Sequence, residues 1–332
     1  MMDRFLSQTR RLTARGMATN RPLALTMLVM LATIIAAIVG LIVDRQVITG
    51  APAWLKPLKF ALSISIYAAT FVWLLGFVQG RRRAVSIVAW VTAGAFLIEM
   101  AVLALQVIRG TTSHFNVSTP FNTAIWSIMG ISIVCLWTAG LALGFMLMRQ
   151  RFADPAFAWA LRFGVLISLV GMGVAFFMTS PTSAQLAAAN AGHGLPTAGA
   201  HSVGVADGGP GLPILGWSTV GGDLRAPHFV GLHALQLLPL AGWLLARYGK
   251  RLTRGTRTAL VIIMGFAYLG LVVILTWQAL RGQSLVHPDT LTLAALAALI
   301  GVVALSVTSA LLAARRATPA TYSTFRNSTR ST

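Results

Sequence analysis

Acidic side chains and cysteine are what this chain has least of: seven Asp and Glu and one Cys in 332 residues. A single cysteine excludes an internal disulfide and any thiolate metal cluster, and Cys135 lies inside an apolar run. Charge of either sign is scarce. Charged residues make up 10% of the chain, against about a quarter in soluble domains, while apolar residues make up 56%. No Walker or Rossmann glycine pattern is present, which argues against a nucleotide-binding domain. HExxH and GxSxG are also missing, so no motif names a reaction.

What is there instead is length of apolar sequence. Leu23 to Val43 and Ala259 to Leu280 carry no charge, and about 20 such residues cross a bilayer. The first run is too long for a signal-peptide core and reads as a retained span. Eight spans are expected, near 23–43, 58–78, 84–108, 121–148, 157–179, 227–247, 259–280 and 291–313. The net charge of +19 is then a matter of placement. With eight spans, 20 of the 26 Lys and Arg fall on one side, from Arg4 and Arg81 to Arg257 and Arg330. Only Arg45, Lys56, Lys59, Arg109, Arg225 and Arg281 fall on the other. The positive-inside rule puts both termini in the cytoplasm of a cell whose inner (plasma) membrane holds the chain. The lipid bilayer is therefore the expected partner of the basic charge, and nucleic acid is not.

All six histidines fall on the outer side, with Asp44, Asp207, Asp223 and Asp289. The chemistry is expected there. The ends of spans 3 and 7, LQVIRGTTSH and WQALRGQSLVH, share Gln-x-x-Arg-Gly: Gln106, Arg109 and Gly110 against Gln278, Arg281 and Gly282. LKPLKF at 55–60 likewise matches LRAPHF at 224–229, and Pro120 matches Pro288, always about 170 residues apart. A steady offset suggests duplication. The expected fold is all-α and polytopic, with eight transmembrane helices in a parallel 4+4 internal repeat. Its parts are a basic segment 1–22, a first half 23–148, a second half 149–314 and a tail 315–332 expected to be disordered. The second half carries a long outer loop, 180–226. In that loop Thr182 to Asn190 reads as a short helix ended by Gly192. GVADGGPGLPILGW lacks periodicity and reads as a lid, with Ile214, Leu215 and Trp217 to dock it.

Charges within a bilayer are costly and seek partners in the bundle interior. Glu99 and Gln106 are seven apart, on one helix face that Arg109 continues. Lys59, Ser63, Tyr67 and Thr70 form a stripe, and His233 and Gln236 share a face. The expected site is a polar cavity opening outward between spans 2, 3, 6 and 7. Glu99, Lys59 and His233 would lie deepest, with Glu99 and His233 as the acid–base pair. Gln106, Arg109, Arg225, His228, Gln236 and Gln278 would line it as ligand-binding groups. His114, His228 and His233 are the candidate metal ligands, although His228 and His233, five apart, point about 140° away from each other and cannot form one chelate. Blander readings stand beside these. Glu99 could pair with Lys59 for structure, Lys56 snorkel to headgroups, Arg109 and Arg281 anchor helix ends, and His193 and His201 lie solvated in the loop.

The stretches WLKPLKF, RGTTSHFN and GDLRAPHFVGLHALQ are similar to a group of bacterial multi-pass membrane proteins, a likeness that covers spans 2 to 6 and implies no activity or ligand. Two four-helix halves with outward histidines also resemble the architecture of haem A synthase-like proteins. That resemblance implies a redox protein in which histidine binds haem b and Arg109 or Arg281 holds propionates. This chain differs in having no histidine on spans 4 and 8. Without haem, the same groups imply a divalent-metal site or outer-surface enzyme using Glu and His, or a proton-coupled carrier of a small molecule taken from the outer side.

Overall fold

Apolar runs of this length leave helix as the only local structure that satisfies its own backbone in a bilayer. The computed structural model describes residues 20–316, and the far N-terminal basic stretch and most of the tail lie outside the described residues. Among the described residues nine helices follow one another: α1 Arg21–Val43, α2 Leu55–Leu75, α3 Arg82–Ile108, α4 Pro120–Arg149, α5 Pro155–Met178, the short α6 Ser183–Asn190, α7 Arg225–Tyr248, α8 Arg254–Leu280 and α9 Thr290–Arg316. Among the described residues eight helical segments are long and apolar enough to cross a membrane, the fifth of them running from α5 through α6, as a multi-pass membrane protein requires. Their starts follow from capping chemistry. Thr119, Asp154 and Thr253 each accept a backbone N–H of the first turn, and Pro120 and Pro155 occupy positions that need no donor.

The helices pack as sequence neighbours, α1 on α2, α3 on α4, α8 on α9, with α5 clasping α7 across the short α6. The α5–α7 seam is built from small residues. A Cβ on Gly171 would stand 2.6 Å from the Gly231 backbone, and one on Gly242 would stand 2.5 Å from Ala160. Only glycine lets the two backbones approach that closely. Phe71, Leu74, Leu143, Leu147, Leu161 and Leu235 fill the interior of the main core.

The loops at the histidine-bearing end are woven together. Val47–Ile48 (β1) pairs with Ala51–Pro52 (β2) around Thr49 and Gly50, both at positive φ as a tight hairpin turn needs. That turn touches Gly208 of the long loop. Phe115 O accepts from Ala198 N, and Val117 N donates to Pro196 O. Ser202–Val203 (β3) pairs with Gly222–Asp223 (β4), which lies against the end of α8. The expected short helix is present, with a full capping box between Thr182 and Gln185. Residues 204–217 form no regular element, as expected, yet they have defined anchors: Trp217 stacks on Phe229 at 6.3 Å, and the Ile214 and Leu215 carbonyls accept from Lys59. The apolar side chains of Ile214 and Leu215 do not dock; Ile214 is 74% exposed.

Candidate functional site

Thr92, Glu99 and Gln106 are spaced by seven, so α3 presents them on one face, and all three are buried. Glu99 is the exceptional one. It is 2% exposed, and neither carboxylate oxygen has a hydrogen-bond partner. Buried polar groups are almost always bonded, so two orphaned oxygens on one acid mark a place where a proton, water or ligand belongs.

The cation nearest in effect is Lys56, on the first turn of α2. It feels Glu99 electrostatically but makes no ion pair with it. Lys56 Nζ instead reaches His114 Nδ1 at 3.2 Å, and Ser113 Oγ reaches the same nitrogen at 3.0 Å. Two donors on Nδ1 make it the acceptor and put the imidazole proton on Nε2. Burial, then the nearby Lys56 and His201, push the His114 pKa well below the ordinary histidine value, which agrees with a neutral ring. Phe60, Phe115 and Trp126 wall this ring in.

His201 stands behind His114, with ring centroids 6.4 Å apart. Its Nδ1–H donates to Asp207 at 2.7 Å, and Asp207 also accepts the backbone N–H groups of His201 and Ser202. Burial alone would push the Asp207 carboxyl up, but its bonds to His201 and to the two backbone amides hold it well below the usual carboxylate range. For His201 burial is the larger effect and lowers the pKa, only partly offset by Asp207. The pair is therefore a neutral imidazole donating to a carboxylate, and it closes the long loop on itself. Asp223, fully buried, takes Arg225 through both oxygens and accepts Ser218 N. Beside Arg225 the lid leaves a recess of about 240 Å³ lined in part by Ser202, Gly208, Gly216 and Ser218.

Several expectations change. Lys59, expected beside Glu99, holds the lid carbonyls, and Lys56, expected to snorkel, turns inward to His114. His233, expected deepest, is exposed on α7, while His201, expected solvated, is half-buried. His193 is exposed as expected. His228 turns Nδ1 to Gly171 O at 2.8 Å, a bond across the glycine seam. His114, His228 and His233 are thus not brought together. Among the described residues no group of three or more His, Cys, Asp or Glu could hold a metal ion. Gln106 and Arg109, expected to line the cavity, bond to each other and to the start of α4. Gln106 donates to Asn122 and Thr112 O, and Arg109 donates to Gln106 and Asn122. Gln278 donates to Ser284 O, and Arg281 pairs with Asp289. Asn116, the first residue of an Asn-x-Ser sequon, is buried with its amide nitrogen bonded to Thr111 and Thr112 O.

A polar trail continues inward from Glu99. Thr92 Oγ1 and one Gln236 oxygen are buried without partners. Ser168 Oγ lies near Tyr67 Oη but makes no bond of hydrogen-bonding geometry. Tyr67 Oη donates to Met172, and Gln236 Nε2 donates to Thr70 Oγ1 at 3.1 Å, joining α7 to α2. Toward the arginine-rich end the trail stops at an aromatic cluster, Trp73, Phe77, Phe152 and Phe157, with neighbouring rings 5.1 to 6.1 Å apart. Sequence reasoning passed over Lys56, His201 and Asp207. The available signal was the stripe Lys56, Phe60, Ser63, Tyr67, Thr70, which continues the recognised one by one more turn. No family model, curated protein or solved structure matches the chain.

Proposed function

We propose that the protein is a proton-coupled carrier that captures a small polar solute on the extracytoplasmic side of the plasma membrane. Glu99 is its proton-exchanging group and Lys56 its fixed counter-charge. The observation that carries this reading is the Glu99 carboxyl, buried in the bundle with both oxygens unpartnered and a lysine held just out of contact by His114. An isolated buried carboxylate is too costly to leave charged and undonated, so such a group holds a proton until something replaces it. The unpartnered atoms of Thr92, Ser168 and Gln236 extend the polar line past mid-span, where ordered water would complete it. The aromatic cluster would be the closed cytoplasmic gate of an outward-facing state. The reading includes cytoplasmic termini and two four-helix halves related by an axis along the membrane normal, with the site between them.

The same aromatic closure favours one second reading, an outer-surface enzyme that uses the Glu99–Lys56 pair for acid–base chemistry and needs no inward path. Haem or metal is the weaker assignment. His114 carries its proton on Nε2 and accepts at Nδ1, which leaves it no free ligand nitrogen, and among the described residues no group of three or more His, Cys, Asp or Glu could hold a metal ion.

The deciding experiment uses proteoliposomes on a solid-supported membrane, challenged with amino acids, amines and short carboxylates under a pH gradient. Solute-evoked charge movement that disappears in Glu99→Gln is the expected result. Silence across the panel, with folded protein verified in the same membranes, removes the carrier and leaves the surface enzyme.

A further inference from the structure

Helices α2 and α7 face each other across a gap. Gln236 Nε2 donates to Thr70 Oγ1 at 3.1 Å, which ties the two near mid-span, but they share no extended packing. At the outer end the long loop bridges them. Lys59 Nζ of α2 donates to the Ile214 and Leu215 carbonyls at 3.1 and 3.2 Å, and Trp217 of the same loop stacks on Phe229 of α7. The bond below and the loop above frame a groove. Lys59, Ser63 and Thr70 share one face of α2, and Phe229, His233 and Gln236 share one face of α7, so Ser63 and His233 lie on the faces thus brought together. Both are nevertheless exposed, and among the described residues neither has a side-chain partner. Ile66 and Leu240, further in along the same faces, are 48% and 50% exposed, so the groove opens sideways.

Depth decides what can fill it. Ser63 and His233 each stand eight residues inside their helix, about 12 Å along its axis. The 21 residues of α2 make it about as long as the hydrocarbon layer is thick. Both groups therefore open into the outer leaflet, where no water answers them and an unpaired ionisable side chain marks a site. Lys59 lies one turn nearer the surface. Its ammonium has three donors, two of them on the loop carbonyls, and among the described residues it forms no ion pair.

We propose that the groove holds one anionic glycerophospholipid of the outer leaflet, with its phosphate on the third N–H of Lys59 and its ester carbonyls on the Ser63 hydroxyl and an imidazole N–H of His233. The acyl chains then run inward along Ile66 and Leu240. A cation, then two hydrogen-bonding groups, then apolar surface is the order of groups along such a lipid itself, and a basic group beside a cleft between spans is the usual way of reading its head. A zwitterionic lipid would place a second cation beside Lys59. A fatty acid would bring no ester carbonyls for Ser63 and His233. The lipid also accounts for Ile214, an apolar side chain 74% exposed at the loop tip that Lys59 holds, since that tip meets the same leaflet. The site lies apart from Glu99 and needs no transport activity.

Native mass spectrometry of the purified, delipidated full-length chain in detergent tests this with dioleoylphosphatidylglycerol. Dioleoylphosphatidylcholine, dioleoylglycerol and oleate serve as matches that lack the net charge, the phosphate or the esters. One retained phosphatidylglycerol, bound about tenfold or more tighter than each match, is the expected result. Lys59→Met should bring its affinity down to that of phosphatidylcholine. Ser63→Ala with His233→Ala should weaken it by a similar factor; these side chains are exposed and unpartnered, so the fold should survive their loss. Arg45→Met, which removes an exposed cation of the outer side away from the groove, should change nothing. Equal retention of all four probes, tighter retention of oleate, a preference that Lys59→Met or the double variant leaves intact, an equal loss in Arg45→Met, or no retained lipid each overturns the assignment. A dimer that forms in place of lipid retention overturns it too and gives the groove to a second copy of the chain.

Discussion

The two Gln-x-x-Arg-Gly corners and the two helix starts, LKPLKF and LRAPHF, are matching pairs in the sequence, but they behave differently in the structure. The corners are built alike. Gln106 and Gln278 each donate to the carbonyl six residues on, Gly110 and Gly282 both take positive φ, and Arg109 and Arg281 each reach the start of the next helix. The helix starts are not alike. In α7 Arg225 is locked to Asp223, whereas in α2 Lys56 and Lys59 have no acid. The lesson is physical. A polar motif that satisfies itself is architecture wherever it recurs, and a charge left without its complement is where a ligand can add free energy.

The seam of the second half gives the largest expected effect. Gly171→Leu puts a side chain where the Gly231 backbone stands, and overpacking there should cost about 3 kcal/mol or more. It should also break the His228 bond to Gly171 O, so assembled protein should be lost on size-exclusion chromatography. Next come the corners. Arg109→Met should lower stability by about 1–3 kcal/mol in thermal unfolding, since it strands the buried Gln106 and Asn122, and Arg281→Met should lower it by less, because Asp289 stays open to water. Neither should change solute-evoked charge movement. A selective transport loss in Arg109→Met with stability intact would mean the corner is a binding group after all and would break the comparison.

The lid latch gives a smaller effect with a defined sign. Asp207 is held low, so its contribution is present above the ordinary carboxylate range near pH 4 and fades as pH falls below it. His114 and His201 are pushed low by burial, so the unfolded lid binds protons more readily, and order is lost as pH falls from about 6.5. The protection of residues 196–224 against hydrogen exchange, taken relative to the intrinsic amide rate at each pH, should therefore fall from pH 7 to pH 5. Asp207→Asn should give the lower protection already at neutral pH, at a cost of about 1–2 kcal/mol. A flat profile would show that the latch does not hold the lid. The smallest effect belongs to the α2–α7 bridge. Replacing both partners together, Thr70→Val with Gln236→Leu, should leave unfolding within about 0.5 kcal/mol of wild type, because apolar groups replace a matched pair. It should nonetheless slow charge movement if the polar trail is in use.

Much of the fold could be read directly. Apolar runs and the charged or Pro/Gly-rich breaks between them located the spans, and Thr182 with Gly192 announced α6. Much of the site could not. Lys56 and Lys59 are one helical turn apart, and the polar stripe through Ser63, Tyr67 and Thr70 extends to both, so the pattern marks the face without choosing which lysine turns inward. His201 sits in a glycine-rich loop that looks solvated until the pairing of β3 with β4 and the bonds of Asp207 bury it.

The sequence alone determined that this chain is helical, crosses a membrane repeatedly and keeps its histidines at one end, because the cost of burying charge and backbone in hydrocarbon acts on each segment separately. Only the tertiary structure decided which charges remain unanswered. Neutralisation depends on contacts between Lys56 and His114, Asp207 and His201, Asp223 and Arg225, and two of those three pairs come from segments that meet only when the loops fold over the bundle or close on themselves.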